Sequence, residues 1–268
     1  MQVWSLSSGS SGNCYLVREG GHLVVLDAGV AAARVEREIV GLGFAPSQVA
    51  AVVVSHEHAD HWSSALALAR RFAAPLLCSR GTWREAGPRS RDVEHAPLVP
   101  GLPVAIGSLS VEAFPLPHDA QEPVGFVLRS PGAVVCVATD MGTVTEEVLE
   151  RARQADLVIV EANHDLRMLV DGPYPAHLKA RILGERGHIS NEAAAQSIAG
   201  MVTGRPRQFW LAHLSQVNNS PRLALSSVEA VLRREGVDHV GVGVALRDRR
   251  SLFWDSEGKL EQLPLFSV

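Results

Sequence analysis

Val49-Ala-Ala-Val-Val-Val54-Ser55-His56-Glu57-His58-Ala59-Asp60-His61 decides how the chain is read. An apolar segment of strand length runs straight into three imidazoles and a carboxylate within six residues. A metal site built on a strand-to-helix turn requires this arrangement. From an extended backbone His56 and His58 can point the same way, while Asp60 and His61 begin an amphipathic helix, Trp62–Phe72, and aim at a second point nearby. That geometry suits two metal ions side by side.

Further ligands have to come from other strand ends. The apolar run Leu23–Leu26 closes on Asp27-Ala28-Gly29, and a carboxylate at the end of a buried strand is costly unless it is paired or hydrogen-bonded. Phe126–Gly142 echoes Tyr15–Gly29: each is expected to be a hairpin whose second strand ends in an Asp with a Gly two residues on. Two similar halves packed face to face would place Asp27 and Asp140 at equivalent strand ends, with the site between them. Strand Leu109–Pro115 leads into Pro117-His118-Asp119, and strand Gln208–Ala212 ends at His213. Strand Leu157–Val160 runs into the polar cluster Glu161-Ala162-Asn163-His164-Asp165, in which His164 is taken as a loop residue. Gly187-His188-Ile189-Ser190-Asn191 opens a helix, Glu192–Met201, capped by Ser190 or Asn191. His188 then stands at a helix N-terminus, where backbone donors favour an anion.

Short strands are also expected at Trp4–Leu6 and Cys14–Val17. The intervening Ser7-Ser-Gly-Ser-Ser-Gly-Asn13 could offer backbone N–H groups to a phosphate or be a plain hairpin connection. Helices are expected at Ala31–Leu42, closed by Gly43, at Thr145–Gln154 and at Ser226–Glu235. The remaining strands are Pro75–Ser79, Pro103–Ile106, Gly125–Arg129, Val240–Leu246 and Ser251–Trp254. Arg80–Arg91 carries four arginines without a clear period and is expected to be a solvated face. Leu166–Arg186, interrupted by Pro173 and Pro175, is expected to be irregular; its Arg167, Lys179, Arg181 and Arg186 make the best local basic patch.

Composition narrows the class. With 268 residues, 46% hydrophobic and 20% charged, the chain is expected to be a globular protein, long enough for one large domain or two small ones. A formal net charge of −4 gives no global attraction to phosphate polymers, so nucleic-acid contact would rest on local arginines. No apolar run reaches about 18 residues, and no basic segment precedes an apolar one at the N-terminus, so a cytoplasmic protein without a membrane partner is expected. Cys14, Cys78 and Cys136 are scattered in or beside apolar runs, which suits buried free thiols.

In this order, strand-end Asp27, His56-x-His58-x-Asp60-His61, His118, Asp140 and His213 resemble the five motifs of the metallo-β-lactamase superfamily, over nearly the whole chain. The resemblance implies an α/β (α+β) fold in one domain over residues 1–268, an αββα sandwich of two similar halves, with two divalent metal ions, Zn²⁺ or Mn²⁺, in a cleft at one edge. It implies that His56, His58 and His118 hold one metal, that Asp60, His61 and His213 hold the other, and that Asp140 bridges them. Asp27 is carried over as a partner that orients ligands. An Asp in the bridging position, where β-lactamases of this superfamily carry Cys, points to the phosphodiesterase branches.

Glu161-Ala-Asn and Gly187-His188 resemble motifs of ribonuclease Z-like enzymes, in which the His assists the leaving group and the Glu supports it. The fuller match is to the YycJ/WalJ-type family, with its Ser-Ser-Gly-Ser-Ser-Gly-Asn, Glu-Ala-Asn-x-Asp, Gly-His-x-Ser-Asn and His-Leu-Ser segments. That resemblance implies a DNA exonuclease with nucleic acid as substrate. Only 72 residues separate Asp140 from His213, too few for a β-CASP domain. The expected chemistry is hydrolysis of a phosphodiester, with Asp60, His188 and Glu161 catalytic and with Asn163, Ser190 and Asn191 at the substrate phosphate, although capping explains Ser190 and Asn191 as well. The alternative is a small-molecule hydrolase of the same fold, acting on a cyclic phosphodiester, thioester or lactone. Imidazole and carboxylate ligands accept Zn²⁺, Mn²⁺ and Fe alike.

Overall fold

The computed structural model describes residues 1–204, 207–258 and 260–262. The chain first forms β1 (Gln2–Ser7), β2 (Cys14–Glu19), β3 (His22–Leu26), β4 (Val49–Val53), β5 (Leu76–Cys78) and β6 (His95–Pro97). It continues with β7 (Val104–Ile106), β8 (Leu109–Pro115), β9 (Val124–Ser130), β10 (Ala133–Ala138), β11 (Leu157–Glu161), β12 (Arg207–Ala212) and β13 (Val240–Val244). Last come β14 (Leu252–Asp255) and β15 (Leu260–Gln262). The helices are α1 (Ala32–Gly41), α2 (Ala59–Trp62), α3 (Ala65–Phe72), α4 (Arg80–Ala86), α5 (Glu146–Arg153), α6 (Leu166–Asp171), α7 (Ala176–Leu183), α8 (Asn191–Met201) and α9 (Pro221–Arg234).

Two mixed sheets result, one ordered β15-β14-β1-β2-β3-β4-β5-β6 and the other β13-β12-β11-β10-β9-β8-β7. In each, three antiparallel neighbours (β1-β2-β3 and β8-β9-β10) continue into three parallel steps (β3 through β6 and β10 through β13). The echo in sequence is therefore an echo in topology. Because both faces of each central strand are covered, the strands are continuous apolar runs. Val24 and Leu26 face the other sheet, where they join Phe126, Val135, Val137, Ile159 and Trp210, while Leu23 and Val25 face Val35, Ile39, Leu68 and Phe72 of α1 and α3. Helices α5, α8 and α9 cover the far face of the second sheet through Val148, Ile198, Met201, Val228 and Leu232. The layers are helix, sheet, sheet, helix. All three cysteines are buried and free, as expected. Among the described residues, no helix is long and apolar enough to cross a membrane.

Several expected elements differ. The helix expected over Trp62–Phe72 is two helices, α2 and α3, parted at Ser63-Ser64. Ser64 N donates to Ala28 O (2.8 Å), so the turn after β3 takes a backbone bond that a continuous helix would have kept, and Ser63 Oγ adds a side-chain bond to Gly29 O (3.2 Å). Leu166–Arg186 is not irregular but carries α6 and α7; its prolines punctuate the gap between them, with Pro175 at the N-cap position of α7. Arg80–Arg91 begins with α4, capped by Ser79 Oγ, which accepts from Thr82 N at 3.1 Å. Helix α9 starts five residues earlier than Ser226, with Ser220 as N-cap and Pro221 in its first turn, where a missing N–H costs nothing. Strand β6 carried no periodic signal of its own.

Candidate active site

Strands β3, β4, β10, β11 and β12 all end at one edge of the sandwich, and the site lies just beyond them, where ligands of sheets with parallel strands are usually held. Among the described residues four that are not glycine have positive φ, and three stand at these strand ends: Asp27 (57°), Asp140 (65°) and His213 (54°). The left-handed turn lifts each side chain off its strand and into the cleft at some conformational cost. Gly29 makes the turn after β3 possible, since a Cβ there would overlap the Asp60 carbonyl.

His56 Nε2 and His58 Nδ1 are 3.1 Å apart, and His118 Nε2 is 3.2 Å from that same His58 atom. Three imidazole nitrogens at this spacing trace the edges of a tetrahedron, which for metal–nitrogen bonds of about 2.0–2.1 Å are about 3.3–3.4 Å long. The outer nitrogens are held in place: His118 Nδ1 donates to Gly187 O (3.1 Å), and His56 Nδ1 lies 3.0 Å from Ser55 Oγ. A second set is Asp60, His61 and His213, with His213 Nε2 3.1 Å and His61 Nε2 3.7 Å from Asp60 Oδ2. His61 Nδ1 donates to Asp27 Oδ2 at 2.8 Å, and Asp27 Oδ1 accepts from both Ser55 N and Ser55 Oγ at 2.9 Å.

Asp140 lies between the sets. Its Oδ1 is 3.2 Å from His213 Nδ1 and 3.9 Å from His118 Nε2, and its Oδ2 is 3.1 Å from His61 Nε2. That buried Oδ2 has no hydrogen-bond partner. A carboxylate oxygen left unsatisfied among converging imidazoles is what a cation would occupy, so the residues present fit a divalent metal centre. The seven residues expected to hold metal are thus brought together, and Asp27 stands behind them.

Charge follows from this packing. Burial, with the charge on His61, holds His56 well below its ordinary value, and burial lowers His118, so both are neutral imidazoles suited to a metal. Burial also opposes charge on His213, but Asp140, Asp60 and Glu161 outweigh it and raise the group to about 10. Burial pushes Glu161 up, yet the ion pair and hydrogen bond with His188, and that with His213, bring it down to about 2.

Glu161 does more than the sequence suggested. Fully buried, its Oε1 accepts from His188 Nδ1 (2.7 Å) and from His213 Nδ1 (3.0 Å), while Oε2 accepts from Met141 N (3.1 Å) and Ile189 N (3.3 Å). One carboxylate therefore orients both the imidazole at the metal set and the one facing the cleft. His188, less buried, borders a cavity of about 250 Å³ with Asn163, Tyr174, Leu178 and Ser10.

Asn163 lines that cavity and donates from Nδ2 to His213 O at 3.0 Å. Ser190 caps α8 by accepting from Ala193 N at 3.2 Å. Asn191 is fully buried, and its amide exchanges two hydrogen bonds with Asn219, at 3.0 and 2.8 Å. Of the three residues expected at substrate phosphate, only Asn163 borders the cleft. Both ring nitrogens of His164 are buried without a hydrogen-bond partner, and the residue belongs to none of the ligand clusters. In the basic patch, Lys179 is tied to Val170 O, Arg181 to Asp119, and Arg186 to His118 O.

The Ser7–Asn13 loop touches the site directly. Ser8 Oγ accepts from His213 N and from Tyr15 Oη, both at 2.9 Å, and Asn13 Nδ2 is 2.9 Å from His61 Nε2. Sequence reading missed these two residues and Ser55; the density of Ser, Gly and Asn beside a strand end was the available signal.

Residues 22–214 match the family model described as the β-lactamase superfamily domain. The chain is 32% identical over 252 residues to an exodeoxyribonuclease YycJ of Bacillus anthracis, covering 90% of this chain and 91% of that protein. The chain belongs to the metallo-β-lactamase superfamily. Within it, the chain is of the YycJ/WalJ type: an exodeoxyribonuclease WalJ of Streptococcus pneumoniae is 29% identical over 245 residues, covering 89% of this chain and 90% of that one. In fold it resembles the metallo-β-lactamase fold protein YhfI of Bacillus subtilis, with a TM-score of 0.71 at 15% identity over 95% of this chain and all of that one. The chain is a metal-dependent hydrolase of this superfamily.

Proposed function

We propose that the chain is a phosphodiesterase, a cytoplasmic DNA exonuclease working with two divalent metal ions in a single domain. The observation that carries this reading is the gathering of His56, His58 and His118, and of Asp60, His61 and His213, on the two sides of the buried Asp140, whose Oδ2 has no hydrogen-bond partner, beside a Glu161–His188 pair. Similarity to the two exodeoxyribonucleases supports the choice of polymer. Divalent ions held by these residues would supply a hydroxide near neutral pH and offset phosphate charge.

The chain's own residues do the rest. Asp60, partly open to the cleft, accepts or steers the proton released by the attacking water. Glu161 binds His188 at Nδ1 and favours its charged form against burial, so the Nε2 proton is available to the departing oxygen. The same Glu161 fixes His213, which locks the acid and the metal set into one frame. Asn163, held by His213 O, is the substrate contact best placed at the cleft.

The test is release of nucleotides from linear duplex DNA bearing a 5′-phosphate, by purified protein with Mn²⁺, alongside Asp60→Ala and His188→Ala. Nucleotides are expected from the wild type and far fewer from either variant. A protein that binds two metals yet cuts no polymer would instead be the small-molecule hydrolase.

A further inference from the structure

Asp119 follows His118 directly, and neither the ligand set above nor the catalytic roles use it. Its Oδ2 is fixed from outside: Arg181 Nε, on α7, donates to it at 2.5 Å. Its Oδ1 is buried and has no hydrogen-bond partner. That atom is 3.4 Å from His118 Nε2 and 4.0 Å from His58 Nε2. The longer contact is beyond a hydrogen bond.

The shorter one is informative because of the tautomer. His118 Nδ1 must be the donor to Gly187 O, so the neutral ring turns a lone pair outward at Nε2. A lone pair and a carboxylate oxygen face each other at 3.4 Å, which is repulsive unless a cation lies between them. Two donor atoms each about 2.0–2.2 Å from one metal, at a tetrahedral angle, are separated by about 3.3–3.6 Å.

We propose that Asp119 is a further carboxylate ligand of the metal held by His56, His58 and His118, and that Arg181 is its positioning residue. This rests on the metal reading of the centre. Added to three imidazoles and the Asp140 carboxylate, a second anionic oxygen moves that site further toward the oxygen-rich donor set that Mn²⁺ accepts. Helix α7 then does more than wall the cleft, because its Arg181 reaches over to set how tightly one metal is held.

The experiment is Mn²⁺ binding to metal-stripped full-length protein, followed by equilibrium dialysis and by the electron paramagnetic resonance of free Mn²⁺, for wild type, Asp119→Asn and Arg181→Met. The wild type is expected to take two ions. Asp119→Asn should keep one at the original affinity and hold the other on the order of 10- to 100-fold more weakly. Arg181→Met should weaken the same ion by less. Arg181 is more than half exposed, so its variant folds and carries the test even if Asp119→Asn does not. Wild-type affinities at both sites in both variants overturn the proposal while leaving the metal centre standing. An effect of Asp119→Asn with none of Arg181→Met overturns the part given to Arg181. A wild type that binds no Mn²⁺ or Zn²⁺ removes the centre itself, and this proposal with it.

Discussion

Asp27 and Asp140 occupy the same place in the two halves of the sandwich, each just past the strand that joins the antiparallel to the parallel part of its sheet. Both have left-handed backbones, with φ of 57° and 65°, and both are 2% exposed. Their hydrogen bonds separate them. Asp27 is saturated by Ser55 N, Ser55 Oγ and His61 Nδ1, whereas Asp140 keeps one buried oxygen without a partner among the imidazoles. Equal topology thus supports two different tasks. A satisfied carboxylate fixes an imidazole, and an unsatisfied one is left for a cation.

Substitution at Asp140 should have the largest effect. Asp140→Asn tolerates the left-handed backbone, so a loss reports the charge and not the turn. We expect kcat/KM on duplex DNA to fall by on the order of 10⁴-fold, about 5.5 kcal/mol in the barrier, together with loss of bound metal. An active variant with full metal content by mass spectrometry would break the contrast between the two carboxylates.

Next in size is the Glu161–His188 pair of the second half, the proposed support and acid. His188→Ala should lower kcat on the order of 10³-fold with little change in metal content. Burial opposes charge on His188, but Glu161 outweighs it and raises its proton affinity, which lets it stay charged to higher pH. An acid must be protonated to act, so the rate should fall as pH rises through that raised value. Glu161→Gln removes the support and should move this basic limb of the kcat profile to lower pH. A limb that stays put would show that His188 is not the acid.

Asp27→Asn should be milder. One of its three accepted hydrogen bonds fails, and a buried donor left unmatched costs about 1–3 kcal/mol of stability. Metal affinity should drop on the order of 10- to 100-fold through a loosened His61. Excess Mn²⁺ should then restore activity to Asp27→Asn but not to Asp140→Asn, and equal rescue of both would erase the distinction between the two carboxylates.

Much of this contrast was legible in the sequence, because both aspartates end apolar runs and a carboxylate in that position needs a reason. The histidine run was equally plain, being contiguous. What could not be read were relations between residues far apart in the chain. Asn13 reaches His61, Ser8 holds His213, and Glu161 serves His188 and His213 together, and none of these pairings leaves a local pattern. The helices α6 and α7 were hidden because they are short and separated by prolines, which as local signals speak for irregular chain. Asn191 was misplaced for a related reason: a polar residue beside a Gly-His motif suggests substrate, while its partner Asn219 lies 28 residues away and is buried with it.

The smallest effect comes from the ends of β5 and β12, which also correspond. On the second half His213 follows β12 in a left-handed turn and stands beside Asp60 and His61; on the first half Ser79 follows β5 with extended backbone and caps α4. Ser79 Oγ accepts from Thr82 N and donates to Thr82 Oγ1, which in turn donates to Glu57, the residue between His56 and His58. If the strand end in the first half is purely structural, Ser79→Ala should cost about 1 kcal/mol in thermal or urea unfolding, the usual worth of a helix cap, and leave kcat/KM unchanged. If activity fell more than stability, the chain from Ser79 through Glu57 would be holding the histidine run, and both halves would then support the centre at this strand end.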